Sequence, residues 1–138
     1  MRLCSACLLG IKCRYDGESN PTAQVLKLLS QEVLIPVCPE QLGGLPTPRE
    51  PAEPRGERIV AVSGRDVTEN FEKGAHQVLY LAILFGIKEA ILKQGSPSCG
   101  CGQIYDMKGN VIARDGVTTS LLKKHGMKVI SEQDLPHS

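Results

Sequence analysis

The sequence lacks an excess of charge of either sign. Its 138 residues include 16 Lys and Arg against 15 Asp and Glu, which leaves a formal net charge of +1. A surface that attracts a polyanion needs a clear surplus of basic residues, so nucleic acid is not an expected partner. Long hydrophobic runs are also missing, because the apolar run at residues 78–87 is too short to cross a bilayer. We therefore expect no membrane association.

The N-terminal residues do not form a pattern typical of a secretory signal peptide. Met1 and Arg2 lead directly into a cysteine-rich segment. We therefore expect a cytoplasmic protein, in which thiols stay reduced and free to bind metal. The chain has six cysteines, and in that compartment they favour metal or redox use over a disulfide framework.

Length and composition indicate one globular domain over residues 1–138. The chain is 41% hydrophobic and 22% charged, and its length suits a single core. Strands and helices are predicted to alternate, which indicates an α/β fold with an open, mostly parallel sheet and helices on both faces, as in Rossmann-like proteins. The predicted strands are near residues 3–7, 33–37, 58–62, 89–93 and 127–130, and the helices are near 21–31, 67–85 and from 115 onward.

Three cysteines lie at or just after the predicted ends of different strands. They are Cys7, Cys38 and Cys99. Open parallel sheets bind ligands beyond the carboxyl ends of their strands, so the fold rule brings these residues to one edge. Residues 43–55, rich in Gly and Pro, are predicted to form an ordered loop over this site, with Arg49 placed to clamp an anion.

Two cysteine patterns leave other interpretations open. Cys4 and Cys7 form a C-x-x-C, which suggests a zinc half-site or a redox pair. There is no second C-x-x-C, and the three histidines are scattered at His76, His125 and His137. Since Cys4 falls inside a predicted strand, a buried apolar role is favoured for it.

The turn at residues 95–102 is the most unusual stretch of the chain. It combines Gly-flanked thiols, two hydroxyls and a Pro, which is typical of a tight polar turn with bare backbone N–H groups. Such a turn after a strand suits an anionic cluster or a sulfur species, and the alternative is an ordinary turn with two spare thiols. Cys101 competes with Cys99 as a ligand candidate, and Cys13 competes with Cys7.

Three thiolates without a nearby His favour a soft metal centre. An iron–sulfur cluster normally has four Cys ligands, so three would leave one iron open to a substrate atom such as sulfur. Glu40, two residues after Cys38, is placed to act as acid or base. Ser96, three residues before Cys99, is placed to donate a hydrogen bond to substrate. The plainer alternatives are a loop or capping carboxylate for Glu40 and a turn-stabilising hydroxyl for Ser96.

Six short stretches together resemble a known family. They are SACLLG at 5–10, CRYDG at 13–17, CPE at 38–40, GLPTPR at 44–49, SPSCG at 96–100 and DGVT at 115–118. They are similar to the family catalogued as domain of unknown function 523 (DUF523), whose members include thiouracil desulfidases. The resemblance implies a [4Fe-4S] cluster held by three cysteines, and removal of sulfur from a thiolated pyrimidine such as 2-thiouracil to give uracil and hydrogen sulfide.

Carried over by motif, the resemblance implies specific site residues. The cluster ligands are Cys7, Cys38 and Cys99, the proton-transfer carboxylate is Glu40, and the active-site serine is Ser96. In that scheme the substrate sulfur binds the open iron and water attacks the carbon, without net redox change. The alternatives are a non-catalytic iron–sulfur or zinc-binding module, or a sulfur carrier. The residues leave open whether the substrate is a free base, a nucleoside or a nucleotide.

Overall fold

The protein is built around one parallel β-sheet and two short hairpins. The computed structural model describes residues 1–136. Short 3-10 turns cover Ala6–Leu9, Leu28–Ser30 and Glu132–Asp134. The strands and helices in chain order are β1 (Arg2–Ser5), α1 (Ala23–Lys27), β2 (Leu34–Val37), α2 (Pro39–Leu42), β3 (Ala52–Arg55), β4 (Arg58–Ala61), α3 (Thr68–Phe85), β5 (Glu89–Leu92), β6 (Ile104–Tyr105), β7 (Val111–Ile112), α4 (Val117–Lys124) and β8 (Lys128–Ser131).

The central sheet has the strand order β2-β1-β5-β8, and all three neighbouring pairs are parallel. The chain moves outward in one direction from β1 to β2 and in the other direction from β1 to β5 and β8. The order therefore reverses between β1 and β5, which is the position where open α/β sheets bind ligands. The predicted α/β fold with a parallel sheet is confirmed.

Both faces of the sheet are apolar and covered by helices. On one face, Leu3, Leu92 and Val129 are buried together with residues of α3 and α4. On the other face, Cys4 and Ile91 are buried together with Val25 of α1. A parallel strand that is buried on both faces has a nearly continuous apolar sequence, as these strands do. The prediction of helices on both faces is correct.

The long helix α3 follows its predicted apolar stripe. Apolar residues spaced at three and four predict a stripe of Val67, Phe71, Ala75, Val78, Leu79, Ala82 and Phe85. All of them are buried except Phe85, which lies at the end of the helix and is 53% exposed. The helix ends at Gly86, whose φ of 66° is in the left-handed region that glycine tolerates. None of the helices within residues 1–136 combines the length and apolar character that a membrane span requires.

Two predicted elements differ from the structure. The helix predicted at 21–31 is only α1 plus a 3-10 turn, because Val25 is the one buried residue in α1 and little packing stabilises a longer helix. The strand predicted at 58–62 is β4, but it pairs antiparallel with β3 instead of joining the parallel sheet. Part of the predicted loop at 43–55 is therefore a strand. Pro54 lies within that strand, and a proline counts against a strand in sequence.

The short helix α2 lies against α3 with backbone-to-backbone contact. A methyl group on Gly43 would overlap the carbonyl oxygen of Asn70, and one on Gly74 would overlap the carbonyl oxygen of Pro39. The Asn70 side chain donates a hydrogen bond to the Gly43 carbonyl at 2.9 Å. Since Cys38 caps α2 and Glu40 lies within it, this contact fixes two of the predicted site residues.

We predict that Gly74→Ala destabilises the protein although Ala favours helix. The gain in helix propensity is about 1 kcal/mol, whereas overpacking a tight contact costs about 1–3 kcal/mol and displaces α2. Gln77→Ala on the exposed side of α3 is the matched control and should leave stability nearly unchanged. Urea unfolding measures the difference, and a Gly74→Ala protein as stable as the control would contradict the close contact.

Candidate active site

A cavity of about 420 Å³ lies at the carboxyl ends of β1, β2 and β5. Its size is that of a small-molecule or cofactor site. Four of the six cysteines line it: Cys7, Cys13, Cys38 and Cys99. Glu40, Arg49 and Ser96 line it as well. The structure therefore brings together the three predicted ligands and the two predicted catalytic residues: Cys7, Cys38, Cys99, Glu40 and Ser96.

Each of the three predicted ligand cysteines follows a different parallel strand. β1 ends at Ser5, two residues before the predicted strand end at about Cys7, so Cys7 lies in the 3-10 turn that directly follows the strand. Cys38 is the first residue after β2 and caps α2, and Cys99 lies in the turn after β5. Parallel strands end at the same edge of a sheet, and the three thiols meet there for that reason.

Cys13 is a fourth thiol in the same cavity. It is buried, and its carbonyl oxygen accepts hydrogen bonds from Arg49 Nη2 at 2.9 Å and from the Cys38 thiol at 3.7 Å. Its own thiol lies within hydrogen-bonding reach of both Cys38 and Cys7. Cys13 therefore remains an alternative to Cys7 as a cluster ligand, as the sequence also indicated.

Burial and contact with neighbouring thiols raise the pKa values of Cys13, Cys38 and Cys99, which favours their protonated form in the absence of a cation. Burial raises the pKa of Cys99 to about 12. The contact with Cys13, followed by burial, raises the pKa of Cys38. The contact with Cys38 lowers the pKa of Cys13, but the contact with Cys7 and burial raise it, to about 11 on balance. A bound metal centre supplies the positive charge that converts such thiols to thiolates.

The donor set suits a multi-atom cluster. No histidine is found among the residues within 1–136 that line the cavity. In the same part of the chain, no three His, Cys, Asp or Glu side chains are grouped so as to hold a single metal ion. The thiols instead border an open volume, and thiolates are the usual ligands of iron–sulfur clusters. The residues present therefore fit a [4Fe-4S] cluster.

The two remaining cysteines, and the histidines among residues 1–136, do not line the cavity. Cys4 is fully buried inside β1, so its predicted apolar role fits its position. Cys101 is half-buried, and its thiol donates to the carbonyl of Val129 at 3.6 Å, away from the cavity. His76 and His125 are exposed, and His137 lies outside the described residues.

Backbone contacts with the start of α4 fix the turn at residues 95–102. The amide of Val117 donates to the Pro97 carbonyl at 3.0 Å, and the amide of Thr118 donates to the Ser98 carbonyl at 2.8 Å. Gly116 packs directly against Ser98 and Cys99, where a methyl group would lie 2.6 Å from the Ser98 carbonyl carbon. The DGVT stretch therefore holds the turn that carries Cys99.

Glu40 is held at both carboxylate oxygens. Arg49 Nε donates to Oε1 at 3.0 Å, and the Ser98 hydroxyl donates to Oε2 at 2.9 Å. Only 6% of the Arg49 side chain and 16% of the Glu40 side chain are exposed, so the ion pair is shielded from water. The anion that Arg49 contacts is thus the carboxylate of Glu40.

Ser96 supports the turn and faces the cavity. Its hydroxyl oxygen accepts the amide hydrogens of Ser98 and Cys99, both at 3.1 Å, and lies 2.9 Å from the Ser98 hydroxyl. Sequence reasoning did not single out Ser98, which touches Glu40 across a separation of 58 residues. The only sequence indication for Ser98 is its position in the SPSCG stretch, and the spacing of the two serines does not indicate which hydroxyl donates to the Glu40 carboxylate.

Comparison with known proteins gives consistent results. The family model for 2-thiouracil desulfurase matches residues 3–134. An uncharacterized protein, YbbK of Bacillus subtilis (strain 168), is 44% identical over 147 residues, covering 98% of this chain and 97% of the relative. A solved structure described as the [4Fe-4S]-dependent thiouracil desulfidase TudS (DUF523) is 47% identical, with a TM-score of 0.92, covering 98% of this chain and 92% of that one.

We predict that the stability of the iron-free, reduced protein falls as pH rises above about 8.5, the usual pKa of a thiol in an unfolded chain. Burial raises the pKa of Cys4 to about 12 in the folded state, so over this range the folded state holds a proton that the unfolded chain loses. Cys4→Ala should make the fall shallower by up to about 1.4 kcal/mol per pH unit.

Urea unfolding between pH 7 and pH 11 measures this slope. Val25→Ala is the control, because Val25 belongs to the same buried cluster but carries no thiol. That variant should lower stability at every pH and keep the wild-type slope. An unchanged slope in Cys4→Ala would show that Cys4 ionises as readily in the fold as outside it.

Proposed function

The chain belongs to the 2-thiouracil desulfurase family, and on that basis we propose that it is a [4Fe-4S]-dependent thiouracil desulfidase. The reaction removes sulfur from a thiolated pyrimidine such as 2-thiouracil and releases uracil and hydrogen sulfide. The observation that carries the proposal is one cavity that is lined both by cysteines from three strand ends and by a largely buried carboxylate, Glu40.

In this proposal Cys7, Cys38 and Cys99 hold the cluster. This assignment is supported by the position of all three cysteines at the same edge of the sheet and in the wall of one cavity. Three protein ligands would leave one iron of a bound cluster without a protein ligand, and such an iron would supply a soft Lewis acid suited to a sulfur donor.

The reaction itself is a hydrolysis. Water contributes its oxygen to the pyrimidine carbon and its two protons leave with the sulfur, so the carbon–sulfur double bond becomes a carbon–oxygen double bond and no electrons are gained or lost. Glu40 takes a proton from the attacking water and returns it to the leaving sulfur. Arg49 and Ser98 hold the Glu40 carboxylate in the cavity wall during this exchange. Ser96, which lines the cavity, is the proposed active-site serine, and its hydroxyl is linked to Glu40 through Ser98.

The cavity suits a small, flat substrate. Tyr15 and Tyr105, two of the five aromatic residues in the chain, line it. Aromatic rings provide flat apolar surfaces on which a pyrimidine packs. Since about 420 Å³ must hold both the cluster and the substrate, the free base is favoured over a nucleotide.

We predict that Cys7→Ala, Cys38→Ala and Cys99→Ala each lose most of the bound iron and acid-labile sulfide, together with turnover of 2-thiouracil. Each substitution removes one of three thiolates on which the cluster depends. Cys101→Ala is the control and should keep both, because Cys101 lies outside the cavity. The test is anaerobic reconstitution of each variant, followed by iron and acid-labile sulfide counts and by an assay of 2-thiouracil turnover. Full cluster and activity in any of the three ligand variants would remove that residue from the ligand set.

A second prediction separates the enzyme from a non-catalytic cluster-binding module. Glu40→Gln keeps the size of the side chain but cannot take up the proton, so turnover should fall by about 100-fold or more while iron content stays at the wild-type level. Glu72→Gln on the exposed surface of α3 is the control. Wild-type turnover in Glu40→Gln would remove Glu40 from the reaction, and a loaded wild-type protein without turnover would favour the binding module.

A further inference from the structure

The hydroxyl of Ser98 connects the two residues assigned to catalysis. Ser98 Oγ lies 2.9 Å from Ser96 Oγ and 2.9 Å from Glu40 Oε2. Ser98 is 1% exposed and lines the cavity. We propose that Ser98 is a positioning residue of this enzyme. Its hydroxyl orients the Glu40 carboxylate toward the thiolated pyrimidine. The inference deepens the proposed function and depends on it for its catalytic consequence.

The short hydrogen bonds that join Ser96, Ser98 and the Glu40 carboxylate share one consistent direction, because a carboxylate only accepts and the other acceptor near Ser98 Oγ, Cys99 Sγ, is farther away at 3.5 Å. Ser96 Oγ already accepts the amide hydrogens of Ser98 and Cys99, so its own hydrogen is free to be donated to Ser98 Oγ. Ser98 then donates its hydrogen to Glu40. Each hydroxyl has a single hydrogen and up to two acceptor positions, so the chain runs from the turn amides through Ser96 and Ser98 to the carboxylate.

The Ser98 hydroxyl is presented by a rigid backbone. The Ser98 carbonyl accepts the amide of Thr118 at 2.8 Å, and Gly116 leaves no space behind Ser98 for the turn to move back. The position of the hydroxyl is therefore set by α4 and does not depend on Glu40. An anchor that is fixed independently of the group it holds can orient that group.

The other carboxylate oxygen is anchored from a different part of the chain. Arg49 donates to Glu40 Oε1 and also to the carbonyls of Pro46 and Cys13 and to the hydroxyl of Thr47. With one oxygen held by Arg49 and the other by Ser98, the carboxylate plane is set by two anchors. Removal of the Ser98 hydroxyl leaves one anchor, about which the carboxylate can rotate.

Ser98 also touches a proposed cluster ligand. Its hydroxyl lies 3.5 Å from Cys99 Sγ, while its carboxylate partner lies on α2, two residues after Cys38. The Ser98 hydroxyl therefore fixes the position of the Glu40 carboxylate relative to Cys99, although Glu40 follows β2 and Cys99 follows β5.

The test compares Ser98→Ala with Ser63→Ala. Ser63 is a matched control, because its hydroxyl also donates to a carboxylate, Glu50 Oε2, at 3.0 Å, but on the exposed surface. In the fully reconstituted enzyme, Ser98→Ala should lower kcat by about 10- to 100-fold, the loss expected for a hydrogen bond to a charged group. The KM for 2-thiouracil and the iron content should stay within about twofold of wild type, and Ser63→Ala should match wild type in all three.

Crystal structures of the wild type and Ser98→Ala provide a readout that does not depend on activity. We expect the Glu40 side chain to leave its wild-type rotamer, or to occupy more than one, while the backbone of α2 stays in place. Ser98→Thr, which keeps a hydroxyl at the same position, should restore the wild-type rotamer and most of kcat.

Three results would overturn the inference: an unmoved Glu40 side chain in Ser98→Ala, wild-type kcat in that variant, or a loss of turnover that is accounted for by lost iron. Failure of the proposed function is distinguishable from these outcomes. In that case the reconstituted wild type itself would not release uracil and sulfide, while the crystallographic comparison would still report on the position of Glu40.

Discussion

The parallel arrangement of β2, β1 and β5 is the constraint on which the site depends. Because the three strands point the same way, the residues that follow them share one edge of the sheet. The segments around Cys7, Cys38 and Cys99 are far apart in the chain, yet each leaves the sheet at that edge. An antiparallel arrangement would have sent at least one of these segments to the opposite end. The topology thus gathers the thiols before any side-chain contact is considered.

Close backbone packing then fixes the orientation of the segments that leave the sheet. Gly74 lets α2, which carries Glu40, rest on α3, and Gly116 lets the Cys99 turn rest on the start of α4. Arg49 ties the loop of Cys13 to Glu40. A buried carboxylate is costly without partners, and Arg49 and Ser98 provide those partners for Glu40. Helices α3 and α4 also pack against each other and against the sheet. The helix beneath α2 and the helix beneath the Cys99 turn therefore belong to the same core.

The sequence was sufficient for features set by local pattern and by topology. The apolar stripe of α3, the apolar strands and the meeting of the three cysteines follow from periodicity and from the rule for strand ends. The strand β3 was missed because Pro54 and its Gly/Pro-rich flank are typical of loops. The link between Ser98 and Glu40 joins residues 58 positions apart, and neither spacing nor periodicity fixes a side-chain contact at that separation. Cys13 was recognised as a competitor of Cys7, but its contacts with both Cys7 and Cys38 depend on how the loop folds back over the cavity.

The central claim is that this cavity holds an iron–sulfur cluster that serves desulfidation. The most direct measurement is to reconstitute the wild-type protein without oxygen, count iron and acid-labile sulfide, and then add 2-thiouracil and follow uracil and released sulfide. We expect about four iron and four sulfide per chain, as a [4Fe-4S] cluster requires, with uracil and hydrogen sulfide formed in equal amounts over many turnovers. A protein that retains no iron after reconstitution, or that releases uracil equally well without it, would contradict the account.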